Sequence, residues 1–348
     1  GPSTVGAGET FPILIPANVT VTTADGAVTV AVPAKTSGFT LQAPASGVVG
    51  GSGAPLTIDG QSHAATFGIV ATTGATAATT IGGVTVQNFL DAGILVERTA
   101  VLTIGPGVTS TGNGTTAARS DGLHVTGNAN AVIMVAANQT PTHFDGNTDH
   151  GILVDTAGFI TLTGSSTAAS VTTNGNFAAG VWIAQTPGAP PQNVIDGLVS
   201  RGATNGNGLR FIAGSSVKLR NTISTGNQGS GVLVSSSAAS SDISKIDLGD
   251  AAGDASAADY GHNTLQAPLG SGNNGNAGIC LNVRANSGVL AAAGNNFASA
   301  ACATAAGTVT INKNGCGNGA CTGGTCDLGI AAGNGAGNDI DVSLCTHP

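Results

Sequence analysis

Charge is scarce in this 348-residue chain: only 8% of its residues are Asp, Glu, Lys or Arg, and only 3% are aromatic. Ten Lys and Arg stand against 18 Asp and Glu, for a net charge of −8. That balance excludes a nucleic-acid footprint, which needs a clustered basic surface to meet phosphates. No apolar run approaches the roughly 18–20 residues of a membrane-spanning helix, so no transmembrane segment is expected. Apolar residues never recur with the 3.6-residue spacing of an amphipathic helix. No signal peptide is visible either. Gly1-Pro2 has the form of a protease-cleavage remnant, so a leader is expected to have been trimmed and the domain is read from residue 3. Low charge and 55 glycines would suit disorder, but 41% hydrophobic residues in regular alternation argue for a packed β protein.

Cysteine is missing from the first 279 residues; all six lie in the last quarter, as Cys280, Cys302, Cys316, Cys321, Cys326 and Cys345. Cys316, Cys321 and Cys326 form a Cys-x4-Cys-x4-Cys run in a Gly/Asn-rich loop. Zinc binding would call for a Cys-x2-Cys pair, which is absent, and the nearby histidine is His347 alone. Disulfides closing the C-terminal end are the expectation, and with them an oxidising compartment, outside the cell or in a periplasm. Six cysteines allow 15 pairings, so the connectivity stays open.

What the sequence has in abundance is repetition. One phrase returns as Gly93-Ile-Leu-Val, Gly122-Leu-His-Val, Gly151-Ile-Leu-Val, Gly180-Val-Trp-Ile, Gly208-Leu-Arg-Phe and Gly231-Val-Leu-Val, in steps of 29, 29, 29, 28 and 23 residues. A fixed period of this size predicts a solenoid, in which each coil buries its apolar face against its neighbours. About three short strands fit in each coil. In the coil from Gly151 they are 152–155, 159–163 and 170–173, and 101–104, 132–135 and 217–219 take the second place in other coils. Gly68 reads as a first weak copy, and Gly278-Ile-Cys-Leu, 47 residues after Gly231, as a copy two shorter coils on. The domain is expected to be single over 3–348. Residues 3–60 hold an N-terminal cap and first coils, with 11–16 covering the first coil; regular coils fill 61–270; the last coils and a cysteine-rich cap fill 271–348.

The phrase Asn-x-x-x-Gly-Ile-x-Val followed by a second apolar strand resembles the right-handed parallel β-helix repeat shared by pectate lyases, polygalacturonases, phage tailspikes and many secreted or surface proteins. Asn147, Asn176 and Asn227 stand four residues before the Gly, which suggests an asparagine ladder at one corner. Phe89, Ala118 and Thr204 hold that place in the other three coils, and an apolar side chain there interrupts the ladder. The resemblance implies an all-β right-handed parallel β-helix with a disulfide-stapled C-terminal end. In enzymes of that fold the sugar chain lies along an outer sheet face.

Register then places the side chains. Positions +1 and +3 after each Gly are apolar throughout and point inward. Position +2 points out and reads Leu95, His124, Leu153, Trp182, Arg210, Leu233. Position +4 reads Glu97, Thr126, Asp155, Ala184, Ile212, Ser235. Trp182, His124, Arg210, Asp155 and Glu97 are therefore the candidate ligand-binding residues, a stacking ring with charges that would suit a polysaccharide. The leucines in the same row equally suit a covering loop or protein partner. Catalytic candidates are Asp155, Arg210 and His124 on this face and the corner residues Asp149 and His150, with Asp121 beside them, as an acid/base pair. Glu97 and Asp155 lie two coils apart, roughly 9.6 Å at about 4.8 Å per coil, a spacing a hydrolase permits. Asp247, Asp250, Asp254 and Asp259 in a Gly-rich stretch are candidates for Ca²⁺, although their spacing matches neither an EF-hand nor the nonapeptide repeat. Threonines such as Thr103 and Thr161 do not stack in every coil of the second-strand row, which argues against a threonine face.

The sequence therefore points to a secreted or cell-surface β-helix rod with a structural or binding role, in contact with a polysaccharide or another surface protein. Two alternatives stand beside it: a polysaccharide lyase or glycoside hydrolase working along the outer face, and a tailspike-like receptor binder. Scattered rather than clustered ionisable residues favour the non-catalytic reading.

Overall fold

A computed structural model describes residues 10–23, 26–51, 53–186, 191–250, 259–265, 274–297, 311–312, 328–330 and 337–341. The chain divides into two compact units, Gly1–Phe177 and Ala178–Pro348. Each is right-handed parallel β-helix, built from short strands that pair with their counterparts one coil away.

The first unit completes six coils. The sheet that carries the repeated phrase stacks Ile13–Ile15, Phe39–Leu41, Phe67–Ala71, Ala92–Val96, Asp121–Val125 and His150–Thr156. A second sheet stacks Thr20–Thr22, Gly47–Val49, Thr80–Gly82, Val101–Ile104, Asn130–Met134 and Phe159–Thr163. A third stacks Val28–Ala31, Leu56–Asp59, Val84–Gln87, Thr109–Thr111, Thr142–His143 and Val171–Thr172. The stretch expected to cap the first coil is instead its first strand: Ile13 pairs with Phe39 and Ile15 with Leu41. Its Leu14 side chain is 53% exposed, as an outward residue of a terminal strand would be.

Parallel register turns the period into a core. Phe39, Ile69, Ile94, Leu123 and Ile152 follow one another directly across the phrase sheet. All but Phe39 are wholly removed from solvent, and Phe39 is only 2% exposed. Each such side chain contributes about 1.5–3 kcal/mol by leaving water. The second unit repeats the device with Val181, Leu209 and Val232 in line. Every +1 and +3 position predicted to point inward does so.

The Gly that opens the phrase is required by space, not by backbone conformation. None of Gly93, Gly122, Gly208 and Gly231 has a positive φ. A Cβ on Gly122 would stand 2.7 Å from both Asn147 Nδ2 and the Gly151 carbonyl oxygen; one on Gly93 or Gly208 would run into Ser110 Oγ or Ser224 Oγ. The corner of the coil folds so closely against the strand start that no side chain fits.

What fills that corner is the asparagine ladder, and it is longer than spacing to the next Gly suggested. Asn176 Oδ1 accepts from the Asn147 backbone N–H (2.9 Å) and from Asn147 Nδ2 (3.1 Å). Asn147 Oδ1 accepts from the backbone and side chain of Asn113 at 3.2 and 2.9 Å, and Asn113 Oδ1 accepts from the Phe89 N–H at 3.1 Å. Ala118, expected to break the ladder, is not on it. Asn113 takes that place because the intervening loop of this coil is longer, and the ladder ends at Phe89, which has no side-chain acceptor. The second unit runs Asn274 to Asn227 to the Ala203 N–H, so Ala203 and not Thr204 holds the corner. A separate ladder there joins Asn295 to Asn263 and on to the Thr222 N–H.

The second unit holds the phrase-sheet strands Ala179–Gln185, Asn207–Ile212, Val232–Ser235, Ile279–Asn282, Leu328–Ile330 and Ile311–Asn312. Val232–Ser235 pairs directly with Ile279–Asn282, so the 47-residue step from Gly231 to Gly278 is one coil and not two. Asn338–Asp341 pairs with Gly288–Ala291. Cys280 is buried and disulfide-bonded. The other five cysteines, Cys302, Cys316, Cys321, Cys326 and Cys345, lie outside the described residues, and with them the expected staple.

A threonine row does exist, on the third sheet of the first unit. Thr29, Thr57, Thr85 and Thr109 stand in direct register, followed by His143 and Thr172. The second-strand positions used to argue against such a row belong to a different sheet.

Candidate functional site

In the first unit the outward row of the phrase sheet joins side chains along the coil stack. Glu97 Oε1 accepts from Thr72 Oγ1 of the previous coil at 2.9 Å and from Arg98 Nε at 3.3 Å. His124 Nε2 lies 3.2 Å from Asp155 Oδ2, one coil on. Asp155 Oδ1 also accepts from Thr156 Oγ1 at 2.9 Å. The strand directions explain the contact: His124 at +2 of one coil and Asp155 at +4 of the next share one face and lean toward each other. Partial burial works against the charge on both groups. For His124 the bond to Asp155 and the carboxylates of Asp121 and Asp155 outweigh it, and the imidazole pKa rises. For Asp155 the bonds from His124, Thr126 and Thr156 outweigh it, and the carboxyl pKa falls. Each favours the charged form of the other.

At the corner just before this strand lie Asp121, Asp149 and His150. Asp121 Oδ1 accepts from the His150 backbone N–H at 3.1 Å and stands 2.8 Å from His150 Nδ1. The histidine is thus paired with Asp121 of the previous coil, not with its sequence neighbour Asp149, whose Oδ2 lies 3.6 Å from the same nitrogen. His150 and Asp121 are buried, at 4% and 6% exposure. Burial is the main cause raising the Asp149 carboxyl pKa; the charge of Asp121 adds to it, while His150 and Arg119 oppose it. One ligand atom from each of the three residues lies within 4.8 Å of the others. Arg119 stacks its guanidinium on the Phe177 ring at 4.0 Å.

In the second unit Trp182 and Arg210 are direct cross-strand partners, and the guanidinium carbon of Arg210 sits 4.8 Å from the indole centroid. Burial lowers the Arg210 pKa. A guanidinium on an aromatic face is a favourable pair, and it covers ring surface that a sugar would otherwise stack on.

The aspartates proposed for calcium have cations of the chain itself beside them. Arg220 Nη2 donates to Asp247 Oδ2 at 2.7 Å and to Asp259 Oδ1 at 2.9 Å, and Lys218 Nζ donates to Asp259 Oδ1 at 2.5 Å. These charges pull the Asp259 carboxyl down, with the Lys218 bond the largest cause. Asp250 lies beside the pair, its N–H donating to the Asp259 carbonyl at 3.3 Å; Asp254 lies outside the described residues. Sequence reading missed Lys218 and Arg220 as partners, since neither is near the aspartates in sequence and nothing local in the sequence signals the contact.

The sequence-predicted residues therefore fall into separate groups: Glu97 with Thr72, His124 with Asp155, and Asp121, Asp149 and His150 in the first unit; Trp182 with Arg210 in the second.

No family model matches the chain, and no curated protein matches it. Among solved structures it is similar to the crystal structure of the Dettilon tailspike protein, at 15% sequence identity and a TM-score of 0.44. The alignment covers 92% of this chain and 60% of that one, so the chain spans less than two thirds of the tailspike's length.

Proposed function

We propose that the protein is a non-catalytic β-helix binding module of an oxidising, extracellular setting. On this reading it contacts an extended partner, foremost a polysaccharide strand, along the outward face of the phrase sheet. One observation supports this reading above others: in both units the polar and aromatic side chains of that face are already joined to one another, Glu97 to Thr72, His124 to Asp155, and Trp182 to Arg210. Side chains fixed in this way form a rigid surface that loses little entropy when a partner binds. An acid/base centre instead needs groups poised to exchange a proton at one reacting atom. The His124–Asp155 bond favours the ionised form of Asp155 and the protonated form of His124, which suits a recognition surface.

A glycan-array screen together with a polysaccharide-degradation assay on the full chain tests the proposal. Binding without new reducing ends or unsaturated uronates is the expected result, weakened by Trp182→Ala or His124→Ala. Turnover of any glycan would establish the lyase or hydrolase alternative instead. Binding untouched by both substitutions would remove this face as the contact surface.

A further inference from the structure

We propose that Asp121, Asp149 and His150 form a binding site for a divalent transition-metal cation, of which Zn²⁺ is the type, clamping two neighbouring coils of the first unit.

The argument starts from the row these residues occupy. Ala92 is the direct register partner of Asp121 and is buried, at 2% exposure. Phe67 holds the same place one coil earlier, so the row accepts apolar side chains and nothing in the fold demands a charge there. Asp121 and His150 instead bury ionisable groups there, at 6% and 4% exposure, which is costly unless they are partnered. The hydrogen bond between Asp121 and His150 leaves Asp149 outside it. His150 Nδ1 is the hub, 2.8 Å from Asp121 and 3.6 Å from Asp149. One N–H hydrogen makes one good hydrogen bond, and here it goes to Asp121. Asp149 Oδ2 faces the same nitrogen from beyond hydrogen-bond distance, and its carboxylate makes no hydrogen bond to a described residue. Two carboxylates thus converge on a single nitrogen whose proton can serve only one of them.

A divalent ion in place of that proton serves both. Donors bound at about 2.0–2.2 Å lie at most about 4.4 Å apart, so a set already within 4.8 Å needs only small side-chain rotations to close. One imidazole and two carboxylates suit Zn²⁺ or Mn²⁺; Ca²⁺, an all-oxygen ion, has no use for the nitrogen. The backbone N–H of His150 fixes Asp121 Oδ1 from behind at 3.1 Å, the kind of support that orients a ligating carboxylate. Asp149, with 29% of its side chain exposed, is the open side through which the ion enters and water completes the coordination. Arg119, whose charge acts on Asp149, weakens the site and argues for moderate affinity.

The test is a Zn²⁺ titration of the full, tag-free, chelator-stripped chain by calorimetry, repeated with Mn²⁺ and Ca²⁺, on wild type and on Asp149→Asn. One Zn²⁺ equivalent should be lost or weakened at least about tenfold in Asp149→Asn, since even supporting residues of metal sites cost that much. Ca²⁺ should not compete for the site. Zinc binding identical in wild type and variant, or no binding at all, would overturn the proposal and leave His150 as a hydrogen-bonded corner. If Asp149→Asn fails to give the wild-type circular dichroism, X-ray absorption of the zinc-loaded wild type decides. A first shell of one nitrogen with oxygens supports the site, and a sulfur-containing or all-oxygen shell refutes it.

Discussion

Removing one rung from the asparagine ladder should cost more than removing any exposed polar side chain of this protein. Asn147 is 2% exposed, and its amide does several things at once. Its Oδ1 accepts from the Asn113 backbone N–H and from Asn113 Nδ2, while its Nδ2 donates to Asn176 Oδ1 and to the Ser110 carbonyl. Asn147→Ala leaves the Asn113 N–H without an acceptor inside the corner. Asn113 Nδ2 keeps only its 3.2 Å bond to Ser110 Oγ, and Asn176 Oδ1 keeps only the backbone donor. One fully orphaned donor costs about 1–3 kcal/mol, and two weakened partners add about 0.5–1.5 kcal/mol each. The total is about 2–6 kcal/mol, a large share of the stability of an ordinary domain. Guanidinium titration followed by circular dichroism reads it, with the exposed Asn138→Ala as a control expected within about 0.5 kcal/mol. A shift below about 1 kcal/mol for Asn147→Ala would refute the reasoning and mean that water enters the corner and replaces the amide.

Gly122→Ala should destabilise by about 1–3 kcal/mol because its Cβ meets backbone and ladder amide at 2.7 Å, whereas Gly82→Ala, whose nearest neighbour is 3.6 Å away, should change the melting temperature little. The His124–Asp155 pair should give stability a pH dependence that His124→Gln removes. A raised imidazole pKa stabilises fully below about 6.5 and loses that contribution as pH rises through the folded value, and a lowered carboxyl pKa stabilises above about 3.9 and is lost on further acidification. The difference in melting temperature between wild type and variant should therefore be largest between about pH 4 and 6.5, and a flat difference from pH 4 to 9 would sink the idea. Arg220→Met should cost about 2–3 kcal/mol in denaturant, because Arg220 is 8% exposed and its loss strands Asp247 and leaves Asp259 to Lys218 alone. Arg220→Lys should recover little of that, since a single ammonium cannot reach both carboxylates in the geometry of the guanidinium fork.

The inward positions were legible because they depend on local rules that repeat. Alternation decides which side chains share a face, and a constant period puts equal positions over one another. Val125, Val154 and Phe211 could therefore be placed in the core from the sequence, and the outward row at His124, Asp155, Trp182 and Arg210 followed. The ladder was only half legible. Counting back four residues from each Gly found Asn147, Asn176 and Asn227 but missed Asn113, because a longer loop separates Asn113 from Gly122. A better local signal was present: the ladder asparagine follows a glycine of positive φ in Gly112-Asn113, Gly146-Asn147, Gly175-Asn176 and Gly226-Asn227.

The sequence by itself determined the repeat, the inward faces and the outward chemistry, since all three follow from alternation and period along one chain. Which residues meet across coils was decided by the tertiary structure. His150 pairs with Asp121, 29 residues away, and not with the adjacent Asp149; Arg220 finds Asp247 and Asp259 at 27 and 39 residues. A loop of any length can bring the next coil into register, so sequence separation carries little information about these contacts, and side-chain reach at a corner decides the partner.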